Sequence, residues 1–176
     1  NIEGIEKIEV NEKLREPYAH KTIIAFIGRL IDGKGAYDLI TAIAQLKRDD
    51  IVTFIIGGGP EEERLKKMTS EYQIENQVLF FGNLPFTEAI ALLKTADIAV
   101  NPSYTEGLPT SVTEAALCQK AIIATRVGGT PEVITGINDG YLIEPKNIPQ
   151  LKEKLIDLIG HPEKRLLFGQ NAYREV

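Results

Sequence analysis

The chain predicts an α/β fold: a doubly wound parallel sheet with helices on both faces. Three observations carry this. Short runs rich in Ile, Val and Phe recur along the sequence and are apolar almost throughout, as strands covered on both faces must be. Amphipathic stretches with helical spacing separate them. Strand and helix therefore alternate, which builds right-handed βαβ units and hence a parallel sheet. Ligands of such a sheet bind where its strands end and loops enter helices.

Taken in order, the first fifteen or so residues have mixed charge and form a lead-in segment. "TIIAFIG" (22–28) is the first strand, and the helix at 35–48 repeats Leu39, Ile40, Ile43 and Leu46 at helical spacing. "VTFIIG" (52–57) precedes a helix at 60–72, on which Arg64-Leu65-Lys66-Lys67 follows three glutamates as a solvated face. "QVLFFG" (77–82) leads to a helix at 86–95, and "DIAVNP" (97–102) to one at 110–118. "AIIATR" (121–126) is a fifth strand, and "GYLIEP" (140–145) adds a small edge strand. A helix at 148–160 comes next, and Pro162 opens a last helical pattern, "PEKRLLFGQNAYREV".

The 176 residues suit one domain with a good-sized core, at 43% apolar and 26% charged. A net charge of −5 argues against a nucleic-acid partner held by general electrostatics, which needs a basic face. Cys118 stands alone, so no disulfide framework or cysteine zinc site is expected; it reads as a small buried apolar residue in a reducing compartment. His20 and His161 do not suggest a metal site, and His161, before Pro162, reads as a turn residue. No apolar run approaches the ~20 residues of a membrane span, and the opening does not resemble a signal peptide. A soluble, cytoplasmic protein is expected.

"GRLIDGKG", Gly28 to Gly35, matches seven positions of a P-loop, but Gly35 stands where the Mg²⁺-holding Ser or Thr belongs. Arg29 is a bulky cation early in the loop, and no later strand ends in an Asp suited to Mg²⁺. The charges fit a different clamp. Arg29 and Lys34, five residues apart across a loop at a strand end, can reach over one cleft, where a helix N-terminus adds positive potential. A planar guanidinium fork and a mobile ammonium can neutralise a diphosphate without metal. Two solvated surface cations are the plain alternative.

"NPSYTEGLPTSVTEAALCQKAIIAT" (101–125) offers a second anion site. Gly107 permits close backbone approach, Pro109 suits a first helical turn, and the helix beginning near Thr110 presents N–H groups with the Thr110 and Ser111 hydroxyls. Glu106 and Glu114 bracket that helix start, with seven residues between them. Ser111-x-x-Glu114 also fits a capping box, which leaves Glu114 open between closing the helix and binding a ligand. Glu106, placed just before an anion site, calls for a partner beside the phosphate. Sugar hydroxyls, two of which one carboxylate can accept, are such a partner.

Glu106 with Glu114, Arg29 with Lys34, "FIIGGGPEEERLKK", "VLFFGNLP" and "VGGTPEVI" together resemble the retaining, metal-independent glycosyltransferases of the GT-B fold, family 4, which share G-R-L…K-G and Glu-x7-Glu. The resemblance runs in order from about Ile2 to the end of the chain. It implies a Rossmann-like domain forming one half of a GT-B fold and binding a UDP-, GDP- or ADP-sugar as substrate, with no cofactor and no metal. It implies that Arg29 and Lys34 bind the donor diphosphate and stabilise its charge as the sugar leaves. Glu106 would hold hydroxyls of the transferred sugar and Glu114 those of the ribose. Gly28, Gly107, Leu108, Pro109, Thr110 and Ser111 would meet phosphate or sugar, and Asn83 and Leu84 the base.

The resemblance further implies that residues 1–176 are the donor domain, with the N-terminal acceptor-binding domain outside this chain. The isolated domain would then turn over little or nothing, and the full-length enzyme would build polysaccharide, glycan or glycolipid, with room for peripheral membrane contact at the inner face. The sequence departs from the family at Cys118-Gln119-Lys120-Ala121, where Gln119 must end a helix in place of Gly. Arg126 replaces a common acidic residue, and Glu132 follows Gly128-Gly129 either as helix-start chemistry or as cleft lining. A nucleotide-sugar 2-epimerase, whose histidine chemistry is not apparent here, and a noncatalytic nucleotide-binding module are the alternatives.

Overall fold

The computed structural model describes residues 4–10 and 12–176. Residues 1–3 and 11, part of the expected lead-in, lie outside the described residues. The strands are β1 (Thr22–Ile27), β2 (Ile51–Ile56), β3 (Val78–Gly82), β4 (Ile98–Asn101), β5 (Ala121–Thr125) and β6 (Tyr141–Ile143). They form one sheet in the order β3-β2-β1-β4-β5-β6, with every neighbouring pair parallel. The expected edge strand is at the edge.

The helices are α1 (Glu12–Arg15), α2 (Ala36–Leu46), α3 (Glu62–Glu71), α4 (Phe86–Thr95), α5 (Thr110–Leu117), α6 (Thr130–Val133), α7 (Ile148–Gly160) and α8 (Pro162–Glu175). Alternate strand residues feed two cores, because successive side chains point to opposite faces. Ile24, Phe26, Ile51 and Ile55 pack with Leu39 and Ile40 of α2, Leu65 of α3 and Leu151 of α7. Ile23, Ala25, Val52 and Phe54 pack with Ile90 and Leu93 of α4 and Val112 of α5. Helix α8 joins both layers, placing Phe168 in the first core and Ala172 in the second.

The lead-in is more than an approach to the first strand. Ile5 is buried in the second core, and Arg15 Nη1 lies 2.8 Å from Asp97 Oδ2 at the foot of the central strands. Arg165 of α8 donates to the last carbonyls of α7, at Leu158 (3.0 Å) and Ile159 (3.2 Å), satisfying groups the helix end leaves open. Arg64, Lys66 and Lys67 pair with Glu61, Glu62, Glu63 and Glu71 around α3, the solvated face expected. Gln119 adopts φ 55° beyond α5, the left-handed conformation its position required. Cys118 is buried, and burial pushes its thiol up to about 11.

Helix α8 docks on that turn through Gly169, where an added Cβ would lie 2.1 Å from the Gln119 carbonyl oxygen. Gly169→Ala should therefore cost about 1–3 kcal/mol of stability, the usual penalty of overpacking a tight contact. Urea denaturation measures this, and an unchanged midpoint would contradict the docking.

Candidate functional site

The strand order reverses between β1 and β4: from β1 the chain builds outward to β2 and β3, and from β4 outward to β5 and β6. The loops leaving these two strands therefore diverge and leave a crevice at their carboxyl ends. From β1 come Gly28, Arg29 and Lys34; from β4 come Asn101 to Pro109, running into α5. A cleft of about 310 Å³ lies between them, lined by Gly28, Arg29, Lys34 and Glu106, with Leu108, Thr110, Ser111 and Glu114 on the α5 side.

One hydrogen-bonded chain ties the two loops. Lys34 Nζ donates to Glu106 Oε1 at 2.8 Å, and Ser103 Oγ donates to the same oxygen at 2.7 Å. The Glu106 side chain is only 7% exposed. Ser103 is itself fixed, its carbonyl accepting from Thr125 Oγ1 of β5 at 2.5 Å and its N–H donating to Asn101 Oδ1 at 3.2 Å. Asn101 Nδ2 donates onward to Ser111 Oγ at 2.6 Å, joining β4 to the first turn of α5. Tyr104 adds a second link, donating its N–H to the Gly33 carbonyl (2.7 Å) and its hydroxyl to Asp38 Oδ1 of α2 (3.0 Å). Burial and Asp38 push the Tyr104 hydroxyl up to about 12, so it stays a donor.

Arg29 differs from Lys34. It is exposed, and its side chain makes no hydrogen bond or ion pair among the described residues. The cleft thus carries one cation held by a carboxylate and one open to a ligand. Opposite them, α5 begins at Thr110 without a side-chain cap. The Thr110 N–H already donates to the Leu108 carbonyl at 2.9 Å, so the open helix end starts one residue later than expected, at Ser111. The capping box does not form, because Ser111 lies inside the helix and its hydroxyl serves Asn101. Glu114 instead faces the cleft, and burial raises its carboxyl above the ordinary value.

Asn83 and Leu84 line an adjoining hollow of about 200 Å³ with Ile56 and Ala89, which shares Gly28 and Arg29 with the main cleft. Asn83 Oδ1 accepts from the Gly58 N–H at 2.9 Å, which fixes its side chain. Gly107 and Pro109 line neither hollow. The Gly107 carbonyl accepts from the Gly129 N–H at 3.1 Å, and Pro109 is buried as the residue before α5 rather than in its first turn. Both shape the loop. Leu108, 84% exposed, stands on the cleft rim.

Sequence reasoning passed over Ser103, Asn101, Thr125 and Gly128. The signal for Asn101 and Thr125 was a polar residue ending a strand that is otherwise apolar. Gly128, at φ 51°, backs the Glu106 loop so closely that a Cβ would fall 1.8 Å from the Glu106 carbonyl oxygen. Glu132 is exposed on α6 and Arg126 lies 3.7 Å from Glu144; neither lines the cleft. Neither do His20 and His161. Among the described residues no three His, Cys, Asp or Glu side chains gather as metal ligands, and no helix is long and apolar enough to cross a membrane.

The family model for glycosyl transferases group 1 matches residues 7–175. The chain belongs to this family. An uncharacterised glycosyltransferase of Methanocaldococcus jannaschii is 35% identical over 175 residues, covering 97% of this chain and 44% of that relative. A GDP-mannose-dependent alpha-(1-6)-phosphatidylinositol monomannoside mannosyltransferase of Mycolicibacterium smegmatis is 28% identical over 92% of this chain and 45% of its own length. The chain thus spans less than half the length of these group 1 relatives. The crystal structure of a C-terminal domain of a group 1 glycosyl transferase from Francisella tularensis shares the fold at TM-score 0.84 and 27% identity, covering 97% of this chain and 95% of that one.

Two outcomes test the site as built. Gly128→Ala should displace the Glu106 loop and lower the melting temperature; an unshifted melt with unchanged Glu106 resonances would contradict the packing. Glu114 supplies a pH dependence. Its carboxyl is raised in the fold, so ionising it costs more folded than unfolded, and stability falls as pH rises from the ordinary glutamate value through the raised one. Glu114→Gln should remove that fall, gaining on wild type progressively through this window and fully above it. Melting curves that run parallel across pH would contradict it.

Proposed function

We propose that this chain is the donor domain of a retaining, metal-independent hexosyltransferase of family 4, and that its cleft binds a UDP-, GDP- or ADP-sugar. The observation that carries this is the meeting of Arg29 and Lys34 on one cleft with Glu106, Glu114 and the open start of α5. In that arrangement a diphosphate lies between two cations and a helix N-terminus, which together balance its charge without a divalent ion. The donor class is supported by the family and by the GDP-mannose dependence of the M. smegmatis relative.

When the bond from the sugar's anomeric carbon to the diphosphate oxygen breaks, negative charge builds on the leaving phosphate. Cations already fixed around it lower the barrier, because they need no reorganisation at that moment. Arg29 supplies a fork and Lys34 a point charge. Glu106 accepts hydroxyls of the transferred sugar, Glu114 those of the ribose, and the hollow at Asn83 and Leu84 takes the base. The glycosyl group then passes, with retained anomeric configuration, to an acceptor hydroxyl presented by an N-terminal domain. Synthesis of glycan, polysaccharide or glycolipid on the cytoplasmic side is the proposed setting. A 2-epimerase would want a histidine on the cleft, and neither histidine lines it.

A thermal-shift panel of UDP, GDP and ADP with their sugars tests this. One matching nucleotide at a hundred times its Kd should stabilise the chain by about 2.7 kcal/mol. EDTA should leave the shift intact, and Arg29→Ala should weaken binding by about 1.5–3 kcal/mol, the loss expected for charged hydrogen bonds. Binding that requires Mg²⁺, or that ignores Arg29→Ala, would contradict the clamp.

A further inference from the structure

We infer that Lys34, Ser103 and Glu106 form a latch that makes the cleft select an intact nucleotide-sugar over the spent nucleoside diphosphate. This rests on the donor-binding proposal and adds a selectivity to it. Glu106 Oε1 accepts from both Lys34 Nζ (2.8 Å) and Ser103 Oγ (2.7 Å), while among the described residues no side-chain donor bonds to Oε2. The carboxylate is 7% exposed and the Lys34 side chain 28%. Water does little for this carboxylate, and the ammonium and the Ser103 hydroxyl are its side-chain partners among the described residues.

A diphosphate entering the cleft needs the same ammonium. It either draws Nζ away and strands a nearly buried carboxylate, or shares Nζ and sits beside a like charge. Both cost binding free energy. A bare nucleoside diphosphate bears that cost in full. An attached sugar offsets it, because its hydroxyls donate to the carboxylate in place of the ammonium. Once the sugar has gone, the ion pair re-forms and weakens the hold on the diphosphate.

Ser103 is the positioning residue in this device. It is 1% exposed and held through its own N–H and carbonyl by Asn101 and Thr125, so its hydroxyl fixes where Oε1 points. A merely structural serine would affect both ligands alike when lost. A positioning serine changes their ratio.

Isothermal titration of the chain with UDP and UDP-glucose, GDP and GDP-mannose, and ADP and ADP-glucose reads that ratio. Glu106→Gln should bind the matching diphosphate about two- to fivefold tighter, the scale of a partly exposed ion pair released. The same variant should bind the matching nucleotide-sugar more weakly. Ser103→Ala, which keeps every charge and serves alone should Glu106→Gln fail to fold, should narrow the preference for the nucleotide-sugar. Diphosphate binding unchanged or weakened in Glu106→Gln, or an unchanged ratio in Ser103→Ala, would overturn the latch while the donor site stands. Wild type binding neither a diphosphate nor its nucleotide-sugar would overturn the donor site and the latch together.

Discussion

The ion pair between Lys34 and Glu106 holds together two loops that the sheet would otherwise let diverge. β1 and β4 are neighbours, yet the chain leaves them toward opposite edges, so the strand ladder does not join the loops beyond them. The pair closes that gap, and Ser103, Asn101 and Thr125 carry its geometry down into β4 and β5. In the proposed donor site, phosphate oxygens and sugar hydroxyls would compete for the two partners. A nearly buried carboxylate matched to one lysine is an expensive way to tie two loops, and apolar packing would do it more cheaply. The charges are better understood as a site waiting for a ligand that carries both phosphate and hydroxyl groups.

Close backbone approach makes that site possible. Gly57 at the end of β2 lets the Gly28 carbonyl come so near that a Cβ would fall 1.9 Å from its oxygen, and Gly128 does the same for the Glu106 loop. Each glycine lowers the wall beside a functional residue. The result is a cleft whose cations come from one loop and whose helix start comes from the other, with an apolar hollow at Ile56, Leu84 and Ala89 continuing from it. Charge, hydroxyl acceptors and an apolar shelf succeed one another in the order a nucleotide-sugar would need.

The fold was legible because buried parallel strands are apolar on both faces, and "TIIAFIG" and "VTFIIG" leave no other assignment. The meeting of Arg29 and Lys34 on one cleft was legible for a similar reason: they flank a strand-to-helix turn, and topology brings such turns to the carboxyl ends of the strands. Hydrogen-bond geometry could not be read so far ahead. "SVTE" is a sound capping box by spacing, but the helix starts one residue before Ser111, and the serine hydroxyl accepts from Asn101 across the sheet end. Ser103 drew no reading from sequence, because the Thr125 hydroxyl that fixes its carbonyl comes from β5, 22 residues away. Gly107 does not line the cleft, and its carbonyl accepts from the Gly129 N–H.

A crystal structure of the chain with a nucleoside diphosphate, grown in EDTA, would place it directly. Phosphate oxygens are expected within hydrogen-bond reach of the Arg29 guanidinium, the Lys34 ammonium and the Ser111 end of α5, with the base toward Asn83. A diphosphate lodged instead in the separate 190 Å³ hollow at Tyr37, Arg64 and Tyr104, behind the clamp loop, would contradict it.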